Sequence, residues 1–295
     1  MADVPHVIDK EQARLAFGRA AASYDGMAVL QREIGRRMAE RLDLVKLVPQ
    51  RLLDAGCGTG METALLMKRY PKAQVLALDF AEPMLRHTRK RGGWWRKPLC
   101  LCGDLEALPL ADHSVDLVWS NLALQWMNDL GAAFREALRV LRPGGLFMFS
   151  SFGPDTLKEL RAAWAAVDGA SHVSPFPDMH DVGDLLLQAR FADPVMDVEQ
   201  LTLTYRDARQ LMRELKGIGA HNATVGRPRG LTGKARLQAM LAAYEGFRRD
   251  GLLPASYEVV YGHAWATVQS SSQPTDRASG EVRISLDAIG RGLPR

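Results

Sequence analysis

Arg51-Leu-Leu-Asp-Ala-Gly-Cys-Gly-Thr-Gly60 runs an apolar strand straight into three alternate glycines, and the next apolar run, Gln74-Val-Leu-Ala-Leu-Asp79, ends on a carboxylate. Gly56, Gly58 and Gly60 carry no Cβ, so the chain can turn sharply there and let a ligand lie against bare backbone, with a helix over Met61 to Tyr70 behind it. A carboxylate topping the second strand suits a ribose diol, because it can accept two hydrogen bonds. Together the two runs imply a nucleotide-like cofactor over the carboxyl ends of adjacent parallel strands.

The glycine spacing narrows the choice. It is G-x-G-x-G, with Met61 where the dinucleotide fingerprint needs its third glycine, which favours S-adenosylmethionine over NAD. The acidic residues agree. Asp54 opens the loop within reach of a methionine ammonium, Asp79 suits the ribose, and Asp104, after the apolar run Pro98 to Cys102, suits the adenine amine.

Working outward, strands at 51-55, 74-79, 98-102, 115-120 and 145-152 alternate with helices at 61-70, 82-91 and 129-141, which demands a parallel sheet with helices on both faces. Asn121 ends the fourth strand beside the cofactor crevice, and Pro143-Gly144-Gly145 breaks a helix and turns the chain into the fifth. Before the sheet, Asp9 with Gln12 resembles a helix-capping pair, and Leu30, Ile34, Met38 and Leu42 form an amphipathic stripe. After it, Thr156 to Val167 and Met179 to Arg190 read as helices, and Val195 to Tyr205 and Tyr257 to Val268 as long strands separated by helices at 207-215 and 233-249. The simplest assembly is an antiparallel hairpin whose connection has swollen into a helical cap. The organisation expected is a helical cap over 1-47, a core over 48-206 with a helical insertion at about 155-190, a cap over 207-255, a last strand at 256-268 and a disordered tail at 269-295.

With 295 residues, a net charge of +4 and a pI near 9.0, the chain is enzyme-sized and mildly basic. No basic run is interleaved with aromatics, so no nucleic-acid partner is expected. No stretch approaches a membrane span, so no membrane partner is expected either. Cys57, Cys100 and Cys102 lack metal spacing, and no metal is expected. An odd cysteine count and an N-terminus bearing Asp3, Asp9 and Glu11 in place of a basic leader point to reduced thiols in the cytoplasm.

Asp54-Ala-Gly-Cys-Gly-Thr-Gly60, Asp79, Gly103-Asp104, Asn121 and Pro143-Gly-Gly145, in that order, resemble the class I S-adenosylmethionine-dependent methyltransferases over residues 50 to 152. More specifically, Phe17-Gly-Arg-Ala-Ala-Ala-Ser-Tyr24, Asn121-Leu-Ala-Leu-Gln-Trp126, Phe152-Gly-Pro-Asp-Thr-Leu-Lys-Glu-Leu160 and Leu215-Lys-Gly-Ile-Gly-Ala220 resemble the malonyl-acyl-carrier-protein O-methyltransferases of biotin synthesis, from about residue 8 to 265. The resemblance implies an α/β, Rossmann-like sheet of seven strands, mostly parallel with one antiparallel strand, and helices on both faces. It implies a cofactor, S-adenosyl-L-methionine, released as S-adenosyl-L-homocysteine, held by Asp54, Gly56, Gly58, Gly60, Asp79, Met84, Asp104, Leu105 and Asn121. A monomer acting on acyl carrier protein loaded with malonate is implied, the free carboxyl being methylated. A mitochondrial complex I assembly factor linked to arginine hydroxylation has a similar core and similar segments around Phe152-Gly and His172-Val-Ser-Pro-Phe176, which leaves a protein arginine as an alternative acceptor; a small free acid is another.

A carboxylate is ionised at neutral pH and a sulfonium is already activated, so no general base is needed. Burying the malonyl carboxylate does need a cation or several donors. Lys216, in an apolar, glycine-rich stretch, is the first candidate, its bland alternative being a solvated lysine at a helix end; Arg213 and His221 follow. Tyr24 could close over the methyl donor or simply pack. Phe176 is a candidate to line the acyl pocket, with a loop anchor as its alternative, and Trp126 and Gln125 are candidates to border the adenine or the substrate, with a core role as the alternative for Trp126. Two basic groups, Arg86, Arg89, Lys90, Arg91, Arg96 and Lys97, and Arg227, Arg229, Lys234 and Arg236, are candidate docking surfaces for an acidic carrier, the second favoured because it lies on the cap.

Overall fold

A computed structural model describes residues 7–227, 230 and 232–267. The expected tail at 269-295, Val268 and Arg229 lie outside the described residues.

Three helices precede the sheet: α1 (Lys10–Ala20), α2 (Tyr24–Met27) and α3 (Val29–Arg41). Asp9 caps α1, its carboxylate accepting the Gln12 amide at 3.0 Å. The α3 stripe is buried as its spacing demands, with Leu30, Ile34 and Met38 against the sheet and Leu42 in the following single turn. Then come β1 (Arg51–Ala55), α4 (Met61–Arg69), β2 (Gln74–Asp79), α5 (Glu82–Thr88), β3 (Leu99–Cys102), β4 (Val115–Asn121), α6 (Leu130–Val140) and β5 (Leu141–Phe152). The second half supplies α7 (Lys158–Ala165), α8 (Met179–Gln188), β6 (Phe191–Tyr205), α9 (Ala208–Gly217), α10 (Lys234–Glu245) and β7 (Leu253–Ala266).

The seven strands form one sheet in the order β3-β2-β1-β4-β5-β7-β6. Only β7 runs against its neighbours, pairing antiparallel with both β5 and β6. Chain order reverses between β1 and β4, and ligands of open α/β sheets bind at such a switch point, outside the carboxyl ends of the strands. Strand alternation sends side chains to two cores. Leu52, Leu117, Trp119, Leu146 and Met148 face α3, α4, α7, α9 and α10, whereas Leu53, Val118, Phe147 and Phe149 face α6 and α8.

Several boundaries differ from the pattern reading: β6 begins at Phe191 and not at Val195, α5 ends at Thr88 and not at 91, and α10 ends at Glu245 and not at 249; two more bear on the sheet. Pro143-Gly144-Gly145 does not precede β5 but lies inside it, because Leu141 already pairs with Val115; the register shift there, with Gly144 at φ +77°, absorbs the kink. β7 begins at Leu253, three residues before 256, because β6 is long enough for Tyr205 to pair with Leu253.

Candidate active site

The first turn after β1 is bent onto β2 by two hydrogen bonds, the Gly56 and Cys57 amides donating to the Leu78 carbonyl at 2.8 and 2.9 Å. Gly56 has φ +81°, and a Cβ there would lie 2.2 Å from the Cβ of Ala123. Asp79 fixes the loop from the other side: Gly58 N–H donates to one carboxylate oxygen at 2.9 Å and Ala81 N–H to the other at 2.8 Å. Each oxygen keeps a lone pair for a ligand hydroxyl. Burial raises the Asp79 carboxyl to about 6, opposed by those two amides.

A cavity of about 580 Å³ opens at this turn, lined by Gly56, Gly58, Asp79, Asp104, Leu105 and Asn121, with Phe80, Ala123 and Met127 supplying an apolar slot. These sequence-derived cofactor residues are brought together. Three others are not. Gly60 turns away and packs against Thr88 and Arg91. Met84 is buried beneath the N-terminal helices with Ala21 and Ala81, one layer behind the cavity wall. Asp54 is buried under the loop, where its carboxylate accepts the Thr63 hydroxyl at 2.5 Å at the start of α4, so it props the turn and does not line the cavity. Burial, offset by Thr63 and reinforced by Glu62 and Asp79, raises Asp54 to about 8.

Asp104 faces the cavity while its carboxylate is paired with Lys10 at 2.5 Å, and Lys10 also reaches Glu106 at 2.8 Å. Asn121 joins three elements: its amide donates to the Gln31 carbonyl at 3.1 Å and to Glu62 at 3.2 Å, and its oxygen accepts the Ser150 hydroxyl at 2.7 Å. Burial lifts Glu62 to about 7.

A second, larger cavity of about 970 Å³ shares Phe17, Tyr24, Leu122 and Trp126 with the first. Tyr24 stands over Gly58, its ring 3.9 Å from where a Cβ would be. Burial, with Glu62, Asp79 and Asp25 nearby, pushes its phenol up, so it remains a hydrogen-bond donor at every working pH. Leu122 sits at φ +51°, a conformation rare for a branched residue and typical of strained site backbone. Phe176, Trp126, Gln125 and His221 line the larger cavity, whose remaining wall is mostly apolar, including Phe152, Leu157, Leu160, Leu215, Ile218 and Tyr257.

Lys216 is not among the lining residues. It is exposed in the last turn of α9, because the apolar face of that helix, not its lysine edge, packs inward. The same holds for Arg213, which is exposed. Of the first basic group, Arg89 pairs with Glu82, Arg91 with Asp25, and Arg96 caps the carbonyls of Met67, Tyr70 and Ala73, so those charges serve the fold. Pattern reading passed over Phe17, Leu122, Glu62 and Lys10. Phe17 lay in a quoted motif, but Lys10 and Glu62 carry no local signal, since their roles depend on Asp104 and Asn121 far along the chain.

Among the described residues no group of three or more His, Cys, Asp or Glu could hold a metal ion. The first cavity fits S-adenosylmethionine: bare backbone at Gly56 and Gly58, a carboxylate with free lone pairs at Asp79, and an apolar slot for a flat base beside Asp104.

Residues 53–149 match the model of a methyltransferase domain family. The malonyl-acyl-carrier-protein O-methyltransferase of Gallionella capsiferriformans is 58% identical over 265 residues, 88% of this chain and 91% of that one. The chain belongs to the malonyl-acyl-carrier-protein O-methyltransferase family. The enzyme of that name from Halorhodospira halophila is 51% identical over 96% of both chains, and that of Legionella pneumophila 43% identical over 86% and 90%. Solved structures share the fold. YcgJ of Bacillus subtilis aligns with TM-score 0.55 at 18% identity, over 78% of this methyltransferase and 97% of that chain. The Haemonchus contortus phosphoethanolamine N-methyltransferase 2, solved with S-adenosyl-L-methionine, aligns with TM-score 0.53 at 15% identity, over 85% and 57%.

Proposed function

We propose that this methyltransferase uses S-adenosyl-L-methionine to methylate the free carboxyl of malonate carried as a thioester on acyl carrier protein, the step that masks the charged end for elongation in biotin synthesis. The observation that carries the reading is the wall shared by the two cavities, Phe17, Tyr24, Leu122 and Trp126, across which a donor and a long apolar-armed acceptor would meet. S-adenosylmethionine, when bound, supplies an electrophilic methyl on a positively charged sulfur. The acceptor carboxylate is anionic at neutral pH, so its oxygen forms the new C–O bond without losing a proton. No residue need act as base. What the residues supply is alignment and dryness: Gly56, Gly58 and Asp79 fix one partner, the apolar wall fixes the other, and Tyr24 offers a neutral donor between them. Alignment of two reactants is worth about 7 to 11 kcal/mol.

The enzyme is read as a monomer, and as cytoplasmic because Cys57, Cys100 and Cys102 form no disulfide among the described residues, which fits a reducing compartment. Transfer of label from methyl-labelled cofactor tests the acceptor. Label is expected on malonyl carrier protein and not on unloaded carrier. Labelling of free malonate at equal efficiency would favour the small-acid alternative.

A further inference from the structure

The larger cavity opens to solvent at His221, which both lines it and is exposed. Two helices end at this rim. Arg19 lies in the last turn of α1 and Lys216 in the last turn of α9. The two ends are stitched together: the Ser23 hydroxyl donates to the Gly217 carbonyl at 2.9 Å, and Gly219 packs so tightly on Phe17 that a Cβ would come within 3.1 Å of its Cα. Both cations are exposed, and neither forms an ion pair with a described residue. Cations of the neighbouring segment behave differently, since Arg227 and Arg236 each lie 3.9 Å from a carboxylate, Asp9 and Asp168. Arg213, one helical turn before Lys216, adds an exposed charge at i−3. Glu214, between Arg213 and Lys216 on the same helix, lines the cavity and accepts the Tyr205 hydroxyl at 3.1 Å, which leaves Arg19 and Lys216 without a carboxylate partner among the described residues.

We propose that Arg19, Lys216 and His221 form an anion site at the cavity rim, which takes the phosphodiester of the pantetheine arm on which the acyl group is carried. The inference rests on the reading of the acceptor as a thioester on acyl carrier protein. It separates two jobs. An arm reaching from the carrier surface ends in a thioester that must lie deep in the apolar cavity, while its phosphate stays at the entrance, where the carrier itself stops. An exposed site can hold a phosphate without the cost of burying charge, and lysine and arginine bind it by charge-assisted hydrogen bonds. The His221 ring, exposed at its rim edge but partly desolvated where it lines the cavity, is depressed in proton affinity by that desolvation and then by Lys216 and Arg19, so near neutrality it contributes a neutral N–H and the other two supply the charge. Lys216 therefore belongs to the arm rather than to the malonyl carboxylate.

Malonyl-pantetheine and malonyl-phosphopantetheine, which differ only in the phosphate, test this directly. The unaltered enzyme is expected to show a KM about tenfold lower for the phosphorylated thioester, falling with added salt. The paired change Arg19→Ala and Lys216→Ala should bring the ratio of the two KM values close to one, while Lys216→Arg keeps most of the preference. Equal KM values for the unaltered enzyme, or a preference that survives the double change, would overturn the anion site while leaving the acceptor reading intact. If these cations merely answered the helix dipoles, removing them would lower the melting temperature and leave the ratio unmoved, which also counts against the site. Failure on both thioesters and on malonyl carrier protein would remove the acceptor reading, and the anion site with it.

Discussion

Asp79 spends half of its acceptor capacity on the glycine loop, receiving the Gly58 and Ala81 amides, and keeps the other half for a ligand. Replacing it with alanine removes both uses at once. Asp79→Ala is expected to raise the cofactor dissociation constant at least about tenfold in calorimetry, the equivalent of about 1.4 kcal/mol; unchanged affinity would mean the crevice is misassigned. Gly56→Ala tests the turn itself. Its new Cβ would meet Ala123 at 2.2 Å in a left-handed backbone, so a stability loss of about 2 kcal/mol or more and loss of cofactor binding are expected in denaturant unfolding. At this scale the sequence was legible where a residue's role is set by backbone geometry or strand ends, as for Gly56, Gly58, Asp79 and Asn121. It misled where burial and strand alternation decide, turning Asp54 onto Thr63 and hiding Met84.

The elements that matter most for access are the N-terminal helices. α2 and α3 are tied to the core by polar contacts: Asp25 receives the Thr59 hydroxyl and the Arg91 guanidinium, and Asn121 donates to the Gln31 carbonyl. Tyr24, first residue of α2, is thereby held between the two cavities. Asp25→Ala should release this latch. A severalfold faster cofactor dissociation in stopped-flow measurements is expected, with a stability loss of about 1 kcal/mol, since the carboxylate is only partly buried. An unchanged off-rate would mean that α2 does not gate the cavity. Strands and helices themselves were readable from period-two and period-3.6 apolar patterns. The latch was not, because Asp25, Thr59 and Arg91 are brought together only by the tertiary fold.

For the whole molecule, Asp79, Glu62 and Asp54 share one enclosed region, with carboxyls raised to about 6, 7 and 8. Carboxyls raised above their unfolded values near 4 bind more protons folded than unfolded, so their contribution to stability is complete below about pH 4 and is lost as pH rises through about 6 to 8. A cationic ligand beside them offsets that loss. At one fixed concentration of S-adenosylmethionine the melting-temperature rise is therefore expected to be larger at about pH 8 than at about pH 6, and where that concentration is a hundredfold above the dissociation constant the rise is about 4 °C. A rise that shrinks with pH would mean that these ionised carboxylates, of which Asp79 alone lines the cofactor cavity, do not attract the bound cation.

The most direct test of the account is the product. Malonyl acyl carrier protein incubated with the enzyme and S-adenosylmethionine, then weighed intact by mass spectrometry, should gain one methylene, and mild alkali should release it as methanol, as only a methyl ester allows. No mass gain with cofactor demonstrably bound, or a methyl that survives alkali, would contradict carboxyl methylation.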